Sequence, residues 1–221
     1  MRIQKQKGIN QLWDFWAPVL FTIFLYTGIR SWIAEARYIP SGSMIPALQI
    51  EDRLLIEKIT YRIRPPKRGE IVVFNSPYSF DPILKKGNSL SQIQCAFLTF
   101  PIFTFITGIG HPSCDAYIKR IVATSGDKVF VNSKAQVYIN DVLVNEPYIN
   151  NYCTFKKSNL GNCKSITAIV PEGNVLVLGD NRNNSWDARF WPGGPFLPEE
   201  EIVGRAIWRF WPFNRMGGLH F

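Results

Sequence analysis

A serine and a lysine that lie far apart in the chain are the residues best suited to perform chemistry. Ser43 lies in the run Ser-Gly-Ser-Met at residues 41–44, and Lys119 lies in the run Tyr-Ile-Lys-Arg at residues 117–120. A serine hydroxyl is a weak nucleophile until a neighbouring base removes its proton. A neutral lysine can be that base, as in the Ser-Lys variant of the catalytic triad. The two segments predict a serine hydrolase that works without histidine.

The lysine must lose its charge to serve as a base. The pKa of an exposed lysine is about 10.4, and burial among apolar groups lowers it. Lys119 is flanked by Ile118 on one side and by an Ile-Val pair at residues 121–122 on the other. The alternative is that Lys119 and Arg120 are two solvated strand residues, which spacing alone favours.

Histidine is poorly placed to replace the lysine. His111 stands in a Gly-His-Pro turn and His220 is the penultimate residue, and neither has an obvious carboxylate partner. Hydrogen-bond donors must also stabilise the oxyanion that forms during acyl transfer. The amide of Ser43 and the hydroxyl of Ser41 are candidates, although an ordinary Ser/Gly loop has the same composition.

The elements that position these residues are predicted to be β-strands. Helical periodicity is nearly absent after residue 33, and short apolar or alternating runs are bounded by turn residues. The predicted strands cover residues 53–57, 70–74, 116–124, 129–131, 137–139, 142–144, 175–178 and 204–210. The sequence therefore predicts a mostly β domain.

An apolar N-terminal segment predicts a membrane anchor. Residues 12–33 are interrupted by charge only at Asp14 and Arg30, and about 20 residues suffice to cross a bilayer. The basic residues in 1–11 place the N-terminus in the cytoplasm and residues 34–221 on the exported side of a cytoplasmic or other internal membrane. A cleaved signal peptide ending at the small-x-small sequence of residues 34–36 is the alternative.

The segment 96–110 carries no charge and lies within an apolar insertion, residues 75–115. A membrane crossing there would separate Ser43 from Lys119. We therefore expect this segment either to enter the membrane interface or to cover the core.

Four cysteines suit an oxidising compartment. The favoured local pairs are Cys153–Cys163 and Cys95–Cys114, and four free thiols are the alternative. The net charge of +8 is scattered and follows no nucleic-acid-binding motif, so we expect a lipid bilayer and no nucleic acid as a partner.

Four segments resemble, in the same order, the sequence boxes of bacterial type I signal peptidase: residues 41–48, 68–74, 117–127 and 179–189. The resemblance implies a membrane-bound serine endopeptidase that removes signal peptides from secretory preproteins. It implies a signal-peptidase-type β catalytic core with a small inserted cap, here residues 128–174, behind one transmembrane helix. It implies neither a metal nor a cofactor.

The resemblance also assigns roles to residues. Ser43 is then the nucleophile, Lys119 the general base, Ser41 part of the oxyanion hole, and Ser185 the serine that orients the lysine. The supporting residues are Met44, Arg120, Asp180, Asp187 and Arg189.

The chain departs from the family pattern at Ala47, where threonine is common, at Asn183, where aspartate is common, and at residues 124–125, where Thr-Ser replaces Leu-Pro. Two other functions stay open: a repressor-type Ser-Lys autoprotease and a catalytically inert, membrane-anchored β binding module.

Overall fold

The computed structural model describes residues 2–88, 116–150, 152–153 and 163–219. Its helices are α1 (Arg2–Trp32), α2 (Thr60–Ile63), α3 (Pro77–Phe80) and α4 (Lys85–Asn88). Within these ranges, no helix combines the length and the apolar character needed to cross a membrane, so the predicted transmembrane assignment of residues 12–33 is not supported.

Twelve strands follow α1 in the described chain. They are β1 (Ala34–Tyr38), β2 (Arg53–Glu57), β3 (Ile71–Asn75), β4 (Ala116–Thr124), β5 (Lys128–Val131), β6 (Val137–Ile139), β7 (Val142–Leu143), β8 (Ile166–Ile169), β9 (Asn174–Leu178), β10 (Leu197–Pro198), β11 (Ile202–Trp211) and β12 (Gly217–Gly218). The mostly β prediction is confirmed. The strands that sequence patterns missed are β1, β8, β10 and β12, which are short or lie beside polar loops.

The larger sheet has the order β1-β2-β11-β3-β4-β9-β10, and β12 pairs with β11. Strand β4 pairs antiparallel with β3 over residues 116–120. Its pairing with β9 begins only at Arg120. Up to Lys119, β4 therefore pairs on one side with β3, and its other edge opens toward the cleft described below.

The core consists of two clusters of buried side chains. One contains Met44, Leu48 and Ile118, and it lies beneath the segment that carries Ser43. The other joins β3, β4 and β9 to the second sheet through Val129, Val137 and their neighbours. The nucleophile segment is thereby fixed to the core of the larger sheet.

The second sheet has the order β7-β6-β5-β8 and falls inside the predicted cap region, residues 128–174. Cys153 and Cys163 form a disulfide with their Cα atoms 6.0 Å apart, as predicted. The predicted Cys95–Cys114 pair and the apolar segment 96–110 lie outside the described residues.

A buried ion pair connects this second sheet to the segment that follows β9. The guanidinium of Arg182 donates to both carboxylate oxygens of Glu146 and to the carbonyl oxygen of Ala135. The Arg182 and Glu146 side chains are 0% and 1% exposed. The hydroxyl of Tyr148 also donates to Glu146. Glu146 is thus the anion on which this connection depends.

Removing Glu146 should strongly destabilise the protein. In Glu146→Ala the Arg182 charge stays buried without its partner, a change that typically lowers the free energy of unfolding by about 3–5 kcal/mol. Urea unfolding followed by tryptophan fluorescence measures the loss. Lys128→Ala is the matched control, because its pair with Asp141 is exposed and should contribute less than about 1 kcal/mol. Equal losses in the two variants would contradict this account.

Candidate active site

The segment carrying Ser43 is a short 3-10 turn, Gly42–Met44, that follows β1. Backbone hydrogen bonds join Ile39 to the turn at residues 51–52, with N–O distances of 2.9 Å. Met44 and Leu48 are fully buried, and the Leu48 amide donates to the Met44 carbonyl oxygen. Met44 therefore packs beneath the site, as expected, and holds the turn against the core.

The side chains of Lys119, on β4, and Ser43, in the 3-10 turn, are in contact. The Nζ atom of Lys119 lies 2.9 Å from the Oγ atom of Ser43 and 2.9 Å from the carbonyl oxygen of Ile118. Lys119 is only 3% exposed and Ser43 only 9% exposed. The alternative of a solvated Lys119–Arg120 pair is therefore wrong, because Arg120 is buried as well.

Burial lowers the pKa of Lys119 to about 8. The negative charges of Asp187 and Asp180 act in the opposite direction, while the positive charge of Arg189 lowers the pKa further. The charged ammonium loses its hydration when it is buried, and this loss outweighs the attraction of the two carboxylates. About a tenth of Lys119 is therefore neutral at pH 7, far more than for an exposed lysine with a pKa of about 10.4.

Residues 179–181 hold the nucleophile turn from the opposite side. The Asn181 amide donates to the Ser43 carbonyl oxygen at 3.1 Å, and its side-chain amide donates to the Gly42 carbonyl oxygen at 2.9 Å. A Cβ atom on Gly179 would lie 2.5 Å from the Ser43 carbonyl oxygen, so only glycine fits there. Asn181 received no role from the sequence, although it stands within the resembling segment 179–189.

Two arginine–carboxylate pairs form the polar support predicted around the lysine. Arg120 binds Asp180 through two hydrogen bonds of 2.9 and 2.7 Å. Arg189 binds Asp187 through bonds of 2.8 and 2.9 Å, and Asp187 also accepts the Gly179 amide at 3.0 Å. All four residues are at most 2% exposed. The two pairs fix the chain around the site, and the charges of Asp180, Asp187 and Arg189 act on Lys119.

The two other predicted serines differ in their placement. Ser41 Oγ lies 3.4 Å from Ser43 Oγ and is exposed to solvent, a position suited to an oxyanion donor. Ser185 Oγ is buried against Gly179 and makes no hydrogen bond to Lys119 Nζ. The structure thus brings Ser185 to the site without the contact expected of an orienting group.

An open cleft of about 700 Å³ lies over the Ser43–Lys119 pair. One wall is formed by residues 37–43, from the end of β1 into the nucleophile turn, and the other by residues 116–119 of β4. β1 is an edge strand of the larger sheet, and β4 pairs with β9 only from Arg120 onward, so both strands offer a backbone edge beside the cleft. The cleft can therefore accept an extended peptide that adds to the sheet through main-chain hydrogen bonds.

Residues 12–211 match the profile of a family described as "Signal peptidase, peptidase S26". A "Probable signal peptidase I-2" from Synechocystis sp. is 44% identical over 98% of this chain and 81% of its own length. A "Signal peptidase I" from Leptolyngbya laminosa is 38% identical over 90% of this chain and 79% of its own.

A chloroplastic "Thylakoidal processing peptidase 1" from Arabidopsis thaliana is 38% identical over 85% of this chain and 45% of its own length. Among solved structures, a signal peptidase I from Enterococcus faecalis matches with a TM-score of 0.39 and 24% identity. That match covers 65% of this chain and 98% of the other.

If neutral Lys119 is the base, activity should rise with pH through a value near 8. Below that pKa, kcat/KM should increase about tenfold per pH unit and then level off, because only the deprotonated amine accepts the serine proton. Initial rates on a peptide from pH 6 to 10 measure this.

The titration of Lys119 should not destabilise the folded protein in the alkaline part of the pH–activity profile. The unfolded chain keeps its lysine proton up to about pH 10.4, so it binds more protons than the folded protein between pH 8 and 10.4. Stability from Lys119 therefore rises with pH in that window. A profile that is flat from pH 6 to 10 would rule out Lys119 as the base.

Proposed function

The chain belongs to the signal peptidase family, peptidase S26, and is a serine peptidase that removes signal peptides; we propose that Ser43 is its nucleophile and Lys119 its general base. The observation that carries this assignment is the 2.9 Å separation of Lys119 Nζ and Ser43 Oγ at the floor of the cleft. Secretory preproteins are the substrates that follow from this family.

The reaction proceeds by acyl transfer. Neutral Lys119 takes the proton of the Ser43 hydroxyl while Oγ attacks the scissile carbonyl carbon. The amide of Ser43 and the hydroxyl of Ser41 donate to the oxyanion. When the C–N bond breaks, Lys119 returns the proton to the leaving amine, and the signal peptide stays attached to Ser43 as an ester.

The second half of the reaction uses the same base. Lys119 takes a proton from a water molecule, whose oxygen attacks the ester carbonyl carbon. The C–O bond to Ser43 then breaks, and Oγ recovers a proton from Lys119. The products are the mature protein with a free amine and the signal peptide with a free carboxylate, so the proton count balances.

The supporting residues position the reacting groups. Arg120 ties Asp180 to β4, and Asp187 and Arg189 brace the segment after β9. The charges of Asp180, Asp187 and Arg189 act on the pKa of Lys119. Ser185 Oγ lies against Gly179, and we expect it to orient Lys119 only in the substrate complex, where catalytic hydrogen bonds often tighten.

The variants Ser43→Ala and Lys119→Ala should each lower the rate of preprotein cleavage by about 10⁴-fold or more, as removal of triad members does. Cleavage in detergent micelles is followed by gel shift, and mass spectrometry identifies the new N-terminus. Ser125→Ala and Lys128→Met, both at exposed positions, are the matched controls and should cleave at the wild-type rate.

Full activity in Ser43→Ala would identify a different nucleophile. A wild-type protein that is folded but cleaves no preprotein would instead favour a binding module without catalytic activity.

Membrane attachment through α1 is a second part of the proposal. The large apolar side chains of α1 from Trp13 onward are exposed, among them Phe21 at 65% and Phe24 at 75%. Inside the same helix, Thr22 and Thr27 satisfy their hydroxyls by donating to the backbone carbonyl oxygens of Pro18 and Ile23. Apolar side chains that face outward and polar groups that are satisfied internally suit contact with lipid.

The double variant Phe21→Asp/Phe24→Asp should release the protein from membranes, because two carboxylates replace apolar groups that lipid would cover. Alkaline carbonate extraction followed by flotation of the membranes measures attachment. Ile63→Asp is the control, since Ile63 is 80% exposed but lies outside α1.

Complete extraction of the wild-type protein would contradict attachment. Protease added to sealed vesicles of each orientation tests the single-pass arrangement, which predicts that residues 1–11 are cut from the cytoplasmic side and residues 34–221 from the other.

A further inference from the structure

We propose that Lys58 is a positioning residue that fixes the orientation of the substrate cleft relative to α1. Cleavage of a preprotein held in the same membrane then depends on Lys58, whereas cleavage of a soluble peptide does not. This inference rests on the proposed function, including attachment through α1. It concerns the joint between the helix and the catalytic domain, which the reaction mechanism above does not use.

Lys58 caps the C-terminal end of α1. It follows the last residue of β2, and its Nζ donates to the carbonyl oxygen of Arg30 at 2.9 Å. Its backbone amide donates to the carbonyl oxygen of Ile33 at 2.9 Å. The last four carbonyl groups of a helix lack partners inside the helix and carry its negative dipole end. A lysine ammonium at that position is both a hydrogen-bond donor and a favourable charge.

The same ammonium binds a buried carboxylate. Lys58 Nζ lies 2.9 Å from Glu35 Oε2, and the Lys58 and Glu35 side chains are 13% and 7% exposed. Burial by itself would raise the pKa of Glu35, but hydrogen bonds and charges from Lys58 and Arg37 lower it. Glu35 is therefore ionised, and charge-assisted hydrogen bonds of this kind are the stronger ones in proteins.

Glu35 continues the connection to the cleft. Its other carboxylate oxygen accepts from Arg37 Nε at 2.5 Å, and Arg37 belongs to the wall of the cleft. Three charged side chains therefore run from the end of α1 to the substrate site: Lys58, Glu35 and Arg37. A separate contact places the guanidinium of Arg62 5.0 Å from the centre of the Trp32 ring, at the last residue of α1.

Orientation matters only when the substrate is also held by the membrane. A preprotein in the bilayer presents its cleavage site at a fixed distance and direction, so a cleft that swings on its helix spends less time aligned with it. A soluble peptide approaches from any direction and meets the same Ser43–Lys119 pair. A loose joint should therefore affect the two substrates differently.

Removing Lys58 should leave the catalytic domain folded. In Lys58→Met the Glu35 carboxylate keeps Arg37 as its partner, so no buried charge is left alone. The pairing of β1 with β2 also does not involve the Lys58 side chain. The variant thus loses the link to the Arg30 carbonyl group while it retains the strands that carry the cleft.

The test uses full-length protein in proteoliposomes with two substrates. One is a preprotein reconstituted in the same vesicles, and the other is a soluble peptide of the same cleavage sequence added outside. Lys58→Met should lower kcat/KM for the preprotein about tenfold, the factor that corresponds to one charge-assisted hydrogen bond. It should change kcat/KM for the peptide by less than about twofold, the difference expected where no such bond is lost.

Lys58→Arg should restore preprotein cleavage, because arginine can also donate to the Arg30 carbonyl oxygen and to Glu35. Lys67→Met, at an exposed lysine in the loop before β3, is the matched control and should change neither rate. Equal losses on both substrates, or no loss on either, would overturn the inference. Wild-type protein that cleaves neither substrate would refute the proposed function, and the role of Lys58 with it.

Discussion

The burial of one lysine amine beside one serine hydroxyl is the constraint on which the rest of the structure depends. Lys119 Nζ is within hydrogen-bond distance of Ser43 Oγ, and burial lowers its pKa to about 8. A buried ammonium is costly, so the fold must pack around it closely enough to exclude water while two carboxylates lie nearby. The chemistry of the site follows from how these opposing effects balance.

The segment after β9 carries out most of this positioning. Asn181 holds the backbone of Gly42 and Ser43, while two buried arginine–carboxylate pairs fix the chain before and after it. Arg182, through Glu146, ties the same segment to the second sheet. The second sheet therefore contributes to the site without touching Ser43 or Lys119.

Charged groups serve both ends of the catalytic domain in different ways. Near the serine, fully buried pairs set a fixed geometry and a fixed electric field. At the end of α1, Lys58 and Glu35 are slightly exposed and meet a helix terminus and a cleft wall. The first set governs the reactivity of the site. The second set governs the orientation of the cleft relative to α1.

The sequence by itself determined the mostly β class, the longer strands and the short motifs that carry Ser43, Lys119 and residues 179–189. These are local properties, because strand alternation, turn residues and short motifs are written in neighbouring positions. Only the tertiary structure decided that Lys119 is buried rather than solvated, since its environment comes from residues distant in the chain. It also decided the roles of Asn181, Glu146 and Lys58, whose partners lie 139, 36 and 28 positions away. Such contacts arise when the sheets close around a common core, and no local pattern encodes that closure.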